Sequence, residues 1–284
     1  VDAIRFYLMS CPVMKGEDII ISEEDYRNQI RGTLLILWNS YNFFVTYANM
    51  DKPNLDKNTN LNTLDKWAWV RLQQTVQEVT EALDKYDSVI AIESIKKFIN
   101  DFSTWYIRRS RDRIGPSVEN NDDKNSFYVT CHGILVNLCL LMAPFTPFIS
   151  ENIFQNLTSK ESVHLSDWPK ATKLSEADLQ LIEDMKTVRK IVELGLAQRK
   201  LANIKVRQPL RKMVLSTQCS VLNGDLLQLI KDELNIKEVI FNENKELSVE
   251  LDTTLDDKLI VEGKLRELMR QVQDKRKELG ARLD

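Results

Sequence analysis

Glycine and histidine are scarce in this chain. Its 284 residues hold 8 glycines and 2 histidines, and each shortage removes a class of chemistry. No G-x-G-x-x-G or G-x-x-x-x-G-K-[ST] loop occurs, so the familiar backbone cradles for nucleotide phosphates are missing. Neither histidine belongs to a set of nucleophile, acid and base, and no H-E-x-x-H or EF-hand pattern is present. His132 lies in an apolar helical stretch and reads as a core residue; His164, in an extended segment, reads as a structural hydrogen-bond partner. Catalysis within these residues is therefore not expected. The four cysteines, Cys11, Cys131, Cys139 and Cys219, form no C-x-x-C pair, which argues against a metal site and a disulfide framework and fits a reducing cytoplasm. No apolar run approaches the roughly 18 residues of a membrane span, and no signal peptide opens the chain. The start, Val1 to Leu8, reads as a helix already under way, so a longer parent polypeptide is expected.

An excess of one charge is also missing. Lys and Arg number 39 against 42 Asp and Glu, a net charge of -3, so any nucleic-acid surface must be a local patch. That favours a defined structured RNA over indiscriminate backbone binding. Two patches qualify. In the first, an apolar stripe at helical spacing (Ile95, Phe98, Ile99, Phe102, Trp105, Tyr106) runs into Arg108, Arg109, Arg111 and Arg113, and Gly115-Pro116 then ends the helix. Arginine presents a planar fork that suits phosphate oxygens and guanine edges, and its flat face stacks on unpaired bases. The plain alternative is an ordinary helix end, with the macrodipole favouring cations there and Asp112 spaced to pair with Arg108 and Arg109. The second patch runs from Arg199 to Lys212 without one acidic residue and includes Lys205, Arg207 and Arg211. Its plain alternative is a solvated loop. Further on, Arg266, Arg270, Lys275, Arg276, Lys277 and Arg282 alternate with acids and read as a solvated helix face.

The periodicity predicts a mainly α protein: an antiparallel helix bundle followed by a small α+β C-terminal unit. Ser22 and Asp87 read as N-caps, the nearly all-apolar Phe127–Met142 as a buried helix, and Pro147 as the first turn of the helix after Ala143-Pro144-Phe145-Thr146. Beyond Ser175 the pattern gives a long helix, strands near 213–215, 239–241 and 247–251, a helix over 226–234, and a last helix over 256–279. The division expected is a connecting segment over 1–20, the bundle over 21–170, a long helix and basic linker over 171–212, and the tail over 213–284.

Several segments taken together resemble class I aminoacyl-tRNA synthetases of the isoleucine type, in their C-terminal anticodon-binding region. They are Asp2–Phe6, Leu37–Phe44 with Trp38, Phe98–Arg113, Leu141–Glu151 with Pro144 and Pro147, Val163–Pro169, and Lys205-Val206-Arg207-Gln208-Pro209-Leu210. Valyl- and leucyl-type synthetases share the bundle, and a helical protein-interaction module is the competing class. The resemblance implies that Arg108, Arg109, Arg111, Arg113, Lys205, Arg207 and Arg211 contact the anticodon stem-loop of a tRNA for isoleucine, while Trp38, Trp105, Pro144 and Pro147 are structural. It also implies a parent enzyme, monomeric and cytoplasmic, that ligates isoleucine to tRNA with ATP and Mg²⁺ in a catalytic domain preceding residue 1. No cofactor, metal, DNA or membrane is expected for these residues themselves, and alone they would be inactive.

Overall fold

The computed structural model describes residues 1–57, 59–119, 121–216, 224–242 and 246–280, without the side chain of Lys277. Cys219 and Arg282 lie outside the described residues. The chain forms two compact units, Val1–Asp178 and Leu179–Asp284.

The first unit is helical: α1 (Asp2–Met9), α2 (Glu23–Gln29), α3 (Leu35–Asp51), α4 (Thr63–Asp84), α5 (Ser88–Asp101), α6 (Asp122–Met142) and α7 (Pro147–Leu157). The caps are those the sequence marks. The Ser22 side chain accepts from the Asp25 N–H and Asp87 from the Ile90 N–H, each satisfying an amide that the first turn leaves unpaired. Asn62 and Asp65 add a reciprocal capping box at the start of α4. Helix α6 is long and apolar enough to span a membrane by length and composition alone, contrary to the reading of its sequence. Here it is the core of the unit, with Phe127, Cys131, Ile134, Leu138 and Leu141 fully buried. Helix α1 is no mere connector, since its Phe6 is fully buried.

Two π-helical stretches interrupt the regular helices, at Ile30–Leu34 and Phe102–Ile107. The second continues α5 and sustains a ladder of nearly parallel rings. Phe98 lies 6.3 Å from Phe102, Phe102 5.8 Å from Tyr106, and Tyr106 5.7 Å from Phe127 of α6. Separations and tilts of this kind suit offset stacking, which adds about 0.5–1.5 kcal/mol per pair beyond burial. The helix ends earlier than Gly115. Regular turns stop after Arg109, and Arg111–Arg113 form a 3-10 turn.

The second unit joins most of α8 (Glu176–Leu201), β1 (Leu210–Ser216), α9 (Gly224–Leu234), β2 (Ile236–Asn242), β3 (Ser248–Leu251) and α10 (Asp257–Glu278). β1 is the central strand, parallel to β2 with Met213 beside Val239, and antiparallel to β3 with Leu215 beside Val249. Its Leu210, Met213 and Leu215 are fully buried. The basic segment after α8 thus belongs to the same unit as the sheet. Gly195 lets α8 and α9 meet closely, because a Cβ there would lie 2.4 Å from Leu234 Cδ1.

Candidate nucleic-acid interface

The arginine cluster divides once its partners are known. Arg113 turns inward and is a correction to its expected role in RNA contact. Its Nη1 and Nη2 donate to the two carboxylate oxygens of Asp65 at 2.9 and 2.8 Å, and its Nε donates to Asp123 Oδ2 at 2.9 Å. Ser126 Oγ takes a further bond from Nη2 at 3.0 Å. The Arg113 side chain is 12% exposed and that of Asp65 is 0% exposed. Burial alone would lower the pKa of this guanidinium, but the hydrogen bonds to Asp65 and Asp123 and the charge of Asp65 hold it above its ordinary value. The Tyr106 hydroxyl donates to Asp65 Oδ1 at 2.8 Å, and burial with the adjacent Asp65 charge pushes its pKa well up. This fork is fully engaged by the fold, joining α4, α6 and the arginine turn.

The other arginines lie farther out. Arg108 is exposed; its Nε donates to Thr104 O at 2.7 Å and its guanidinium sits 5.9 Å from the Trp105 ring centre. Arg109 is half-buried. Arg111 is exposed, with its guanidinium 5.8 Å from the Phe43 ring centre, and Phe43 packs 4.9 Å from Tyr47. Trp105 is only half-buried, and the fully buried anchor is its neighbour Tyr106. Phe43 and Tyr47 are not among the candidate site residues that the sequence offers. The signal for them is in the spacing: they stand four apart on α3, beside the core positions Tyr41 and Phe44.

The loop behind the turn is pinned by a buried ion pair. Lys124 Nζ lies 2.9 Å from Asp51 Oδ1, with the two side chains 5% and 3% exposed, and donates to Gly115 O at 2.8 Å and Val118 O at 3.1 Å. Asp51 Oδ2 accepts the Gly115 N–H at 3.0 Å and also the Tyr128 hydroxyl. Burial would raise the Asp51 pKa, but the Tyr128 hydroxyl, Lys124 and the Gly115 amide together hold it below its ordinary value. Gly115 has φ +105°, which a side chain rarely tolerates. The turn carrying Arg111 is therefore fixed on its C-terminal side, at Arg113 and at Gly115.

In the second unit Lys205, Arg207 and Arg211 are exposed. Arg207 Nη1 lies 3.6 Å from Glu267 Oε2, a loose surface pair worth little. Arg199 does not belong to this surface, being 1% exposed. Of the other expected structural residues, Trp38 is half-buried and 5.4 Å from Tyr41, Pro147 is the first residue of α7, and Pro144 is exposed with its carbonyl accepting from Arg5 Nη2 at 3.3 Å. His164 is exposed in a 3-10 turn, whereas His132 Nε2 lies 2.9 Å from Leu157 O. Among the described residues no group of three or more His, Cys, Asp or Glu is placed to hold a metal ion.

Comparison with known proteins places the chain in a family. The family described as the anticodon-binding domain of tRNA ligase matches residues 65–214. The chain is 39% identical over 271 residues to the isoleucine–tRNA ligase of Treponema denticola, covering 88% of this chain and 24% of that protein. It is 39% identical over 252 residues to that of Clostridium kluyveri, covering 85% and 24% respectively. The chain thus spans about a quarter of the length of these curated relatives. Among solved structures it is similar to the agnB2 LeuRS of Agrobacterium radiobacter K84 in a ternary complex with tRNA and LeuAMS, at 14% identity and a TM-score of 0.42, covering 88% of this chain and 28% of that one. The match over 65–214 runs from the Asp65 that anchors Arg113, through the arginine turn, to β1, and on that ground the chain belongs to the anticodon-binding domain family of tRNA ligases.

Proposed function

We propose that these residues are the anticodon stem-loop-binding region of an isoleucine–tRNA ligase. The observation that carries this reading is the pairing of exposed Arg108 and Arg111 with the half-buried rings of Trp105 and Phe43 on a turn fixed from behind. A guanidinium and an aromatic face side by side are what an unstacked base and its flanking phosphate require. Lys205, Arg207 and Arg211 supply sequence-independent contacts to the phosphate backbone. The identity of 39% to isoleucine–tRNA ligases supports isoleucine tRNA as the partner. The longer enzyme ligates isoleucine with ATP and Mg²⁺ in the cytoplasm as a monomer, using residues outside this chain, and the chain alone does not aminoacylate.

Titration of the chain with isoleucine tRNA, and with the same tRNA carrying a swapped anticodon, tests the proposal. The swap should weaken binding. The triple variant Arg108→Ala, Arg109→Ala, Arg111→Ala should keep its fold yet lose affinity, with the salt slope falling by roughly one unit for each phosphate contact removed. Unchanged affinity and salt slope in the folded triple variant would refute the assignment. Indifference to the anticodon would point instead to a protein-interaction module.

A further inference from the structure

Arg199 is the only one of its basic cluster to be withdrawn from solvent, and the chemistry around it is unusual. Arg199 is 1% exposed, and its guanidinium faces backbone carbonyls rather than a carboxylate. Nη1 donates to Lys205 O at 3.1 Å and Gln208 O at 3.0 Å, while Nη2 donates to Leu234 O at 2.5 Å and Asn235 O at 3.2 Å. Among the described residues it makes no ion pair. Removing a charge from water without an opposite charge is costly, and burial here lowers the guanidinium pKa to about 10. A helix C-terminus alone explains only half of the arrangement. The Leu234 carbonyl ends α9 and favours a cation there, but the Lys205 and Gln208 carbonyls belong to the loop before β1.

The rest of that loop is held in the same way. Asn235, at φ 49°, donates from Nδ2 to Val206 O at 3.0 Å and Arg207 O at 3.1 Å. Its Oδ1 accepts from Arg266 Nη1 of α10 at 2.5 Å, so Arg266 is drawn into this network and is not just part of a solvated face. Gln208 closes a turn from its N–H to Lys205 O at 3.0 Å and reaches Leu259 O of α10 at 2.7 Å through Nε2. Gly263 permits that approach, since a Cβ there would lie 2.2 Å from Gln208 Oε1. Four consecutive carbonyls, from Lys205 to Gln208, thus point inward onto side-chain donors. The side chains of Lys205, Val206 and Arg207 are exposed as a result.

We propose that Arg199 is a positioning residue for RNA binding: with Asn235 it gathers the carbonyls of the Lys205–Gln208 loop inward and so presents Lys205 and Arg207 outward, preorganised for two phosphates of a bound tRNA. The proposal rests on the reading of Lys205 and Arg207 as phosphate contacts. A loop ordered before binding spends no affinity on ordering its cations, which is what preorganisation supplies. Lysine at position 199 keeps the charge but cannot fork to two carbonyl pairs. Glycine at position 235 keeps the left-handed backbone and removes the amide donors to the loop, together with the Oδ1 acceptor of Arg266.

The test is a set of salt titrations of isoleucine tRNA binding to the 284-residue chain, on variants whose fold is checked by circular dichroism. Lys205→Ala with Arg207→Ala should lower the slope of log affinity against log salt by about two units. Arg199→Lys and Asn235→Gly should each lower that slope by about one unit or more while leaving both cations in place. Adding the Lys205 and Arg207 substitutions to either background should then cost less than in the native chain. If the double substitution lowers the slope while Arg199→Lys and Asn235→Gly bind like the native chain, the positioning role is overturned and the phosphate reading stands. If the double substitution itself changes nothing, the phosphate reading fails and takes the positioning role with it. Asn235→Gly keeps the test decisive should Arg199→Lys fail to fold.

Discussion

Arg113→Ala removes a guanidinium that donates to both oxygens of Asp65 and to Asp123, and leaves the 0% exposed Asp65 carboxylate without a cation. Removing one partner of a buried ion pair costs about 3–5 kcal/mol. Asp65 keeps the Tyr106 hydroxyl at 2.8 Å and Ser126 Oγ at 2.9 Å, so the lower end of that range applies, about 3 kcal/mol. In a unit of this size each kcal/mol moves the melting temperature by about 2–4 °C, which puts the expected drop at roughly 6–12 °C. Arg113→Lys restores the charge without the fork and should recover only part of the loss. Thermal and urea melts of the variants measure the stability, and tRNA titration below the transition measures binding by the molecules still folded. Folded Arg113→Ala should lose less tRNA affinity than Arg111→Ala, because it loosens the turn without removing an RNA contact. A stability loss under about 1 kcal/mol together with weakened tRNA binding would refute the inward role and return Arg113 to the RNA surface.

Trp105→Ala should cost about 1–2 kcal/mol, because the ring is half-buried, whereas Tyr106→Ala should cost about 3–5 kcal/mol; comparable losses in denaturant melts would contradict the burial of the two rings. The lowered pKa of Asp51 makes a pH prediction. A carboxylate with a depressed folded value contributes stability above its unfolded value, near ~4, and loses it as pH falls through the lower folded value. The stability gap between the native chain and Asp51→Asn should therefore be full at neutral pH and close progressively below about pH 4, and a gap that widens in acid would show the sign to be wrong.

What could be read from the sequence was local. Ser22 and Asp87 announce their helices because capping chemistry acts within three residues, and the run Phe127–Met142 announces the core because it has no polar face. Arg113 reads as a surface cation in the sequence because its buried partner is distant and its nearest acid, Asp112, is not that partner. Asp65 lies 48 residues away, and only the packing of α4 against α6 brings it there. Arg199 reads as surface in the sequence for a similar reason: its partners are backbone carbonyls, which every sequence supplies everywhere and which therefore leave no trace in residue type. The family resemblance, by contrast, survived because ordered segments such as Lys205–Leu210 carry it without any knowledge of contacts.

The π-helical stretch from Phe102 to Ile107 separates two measures of a helix that normally coincide, its count of residues and its count of turns. An α-helix advances about 100° per residue, so a deletion inside one ordinarily swings everything downstream to another face. A π turn already holds one residue more than an α turn, so losing one returns it to regular geometry and leaves the direction of Arg108 and Arg109 nearly unchanged. Deleting exposed Thr104 should therefore leave a folded chain with a modest loss in melting temperature, whereas deleting one residue from the regular turns of α5 should abolish folding. Homologues lacking one residue here would keep the same arginine face, and their arginines correspond to these by turn rather than by position number.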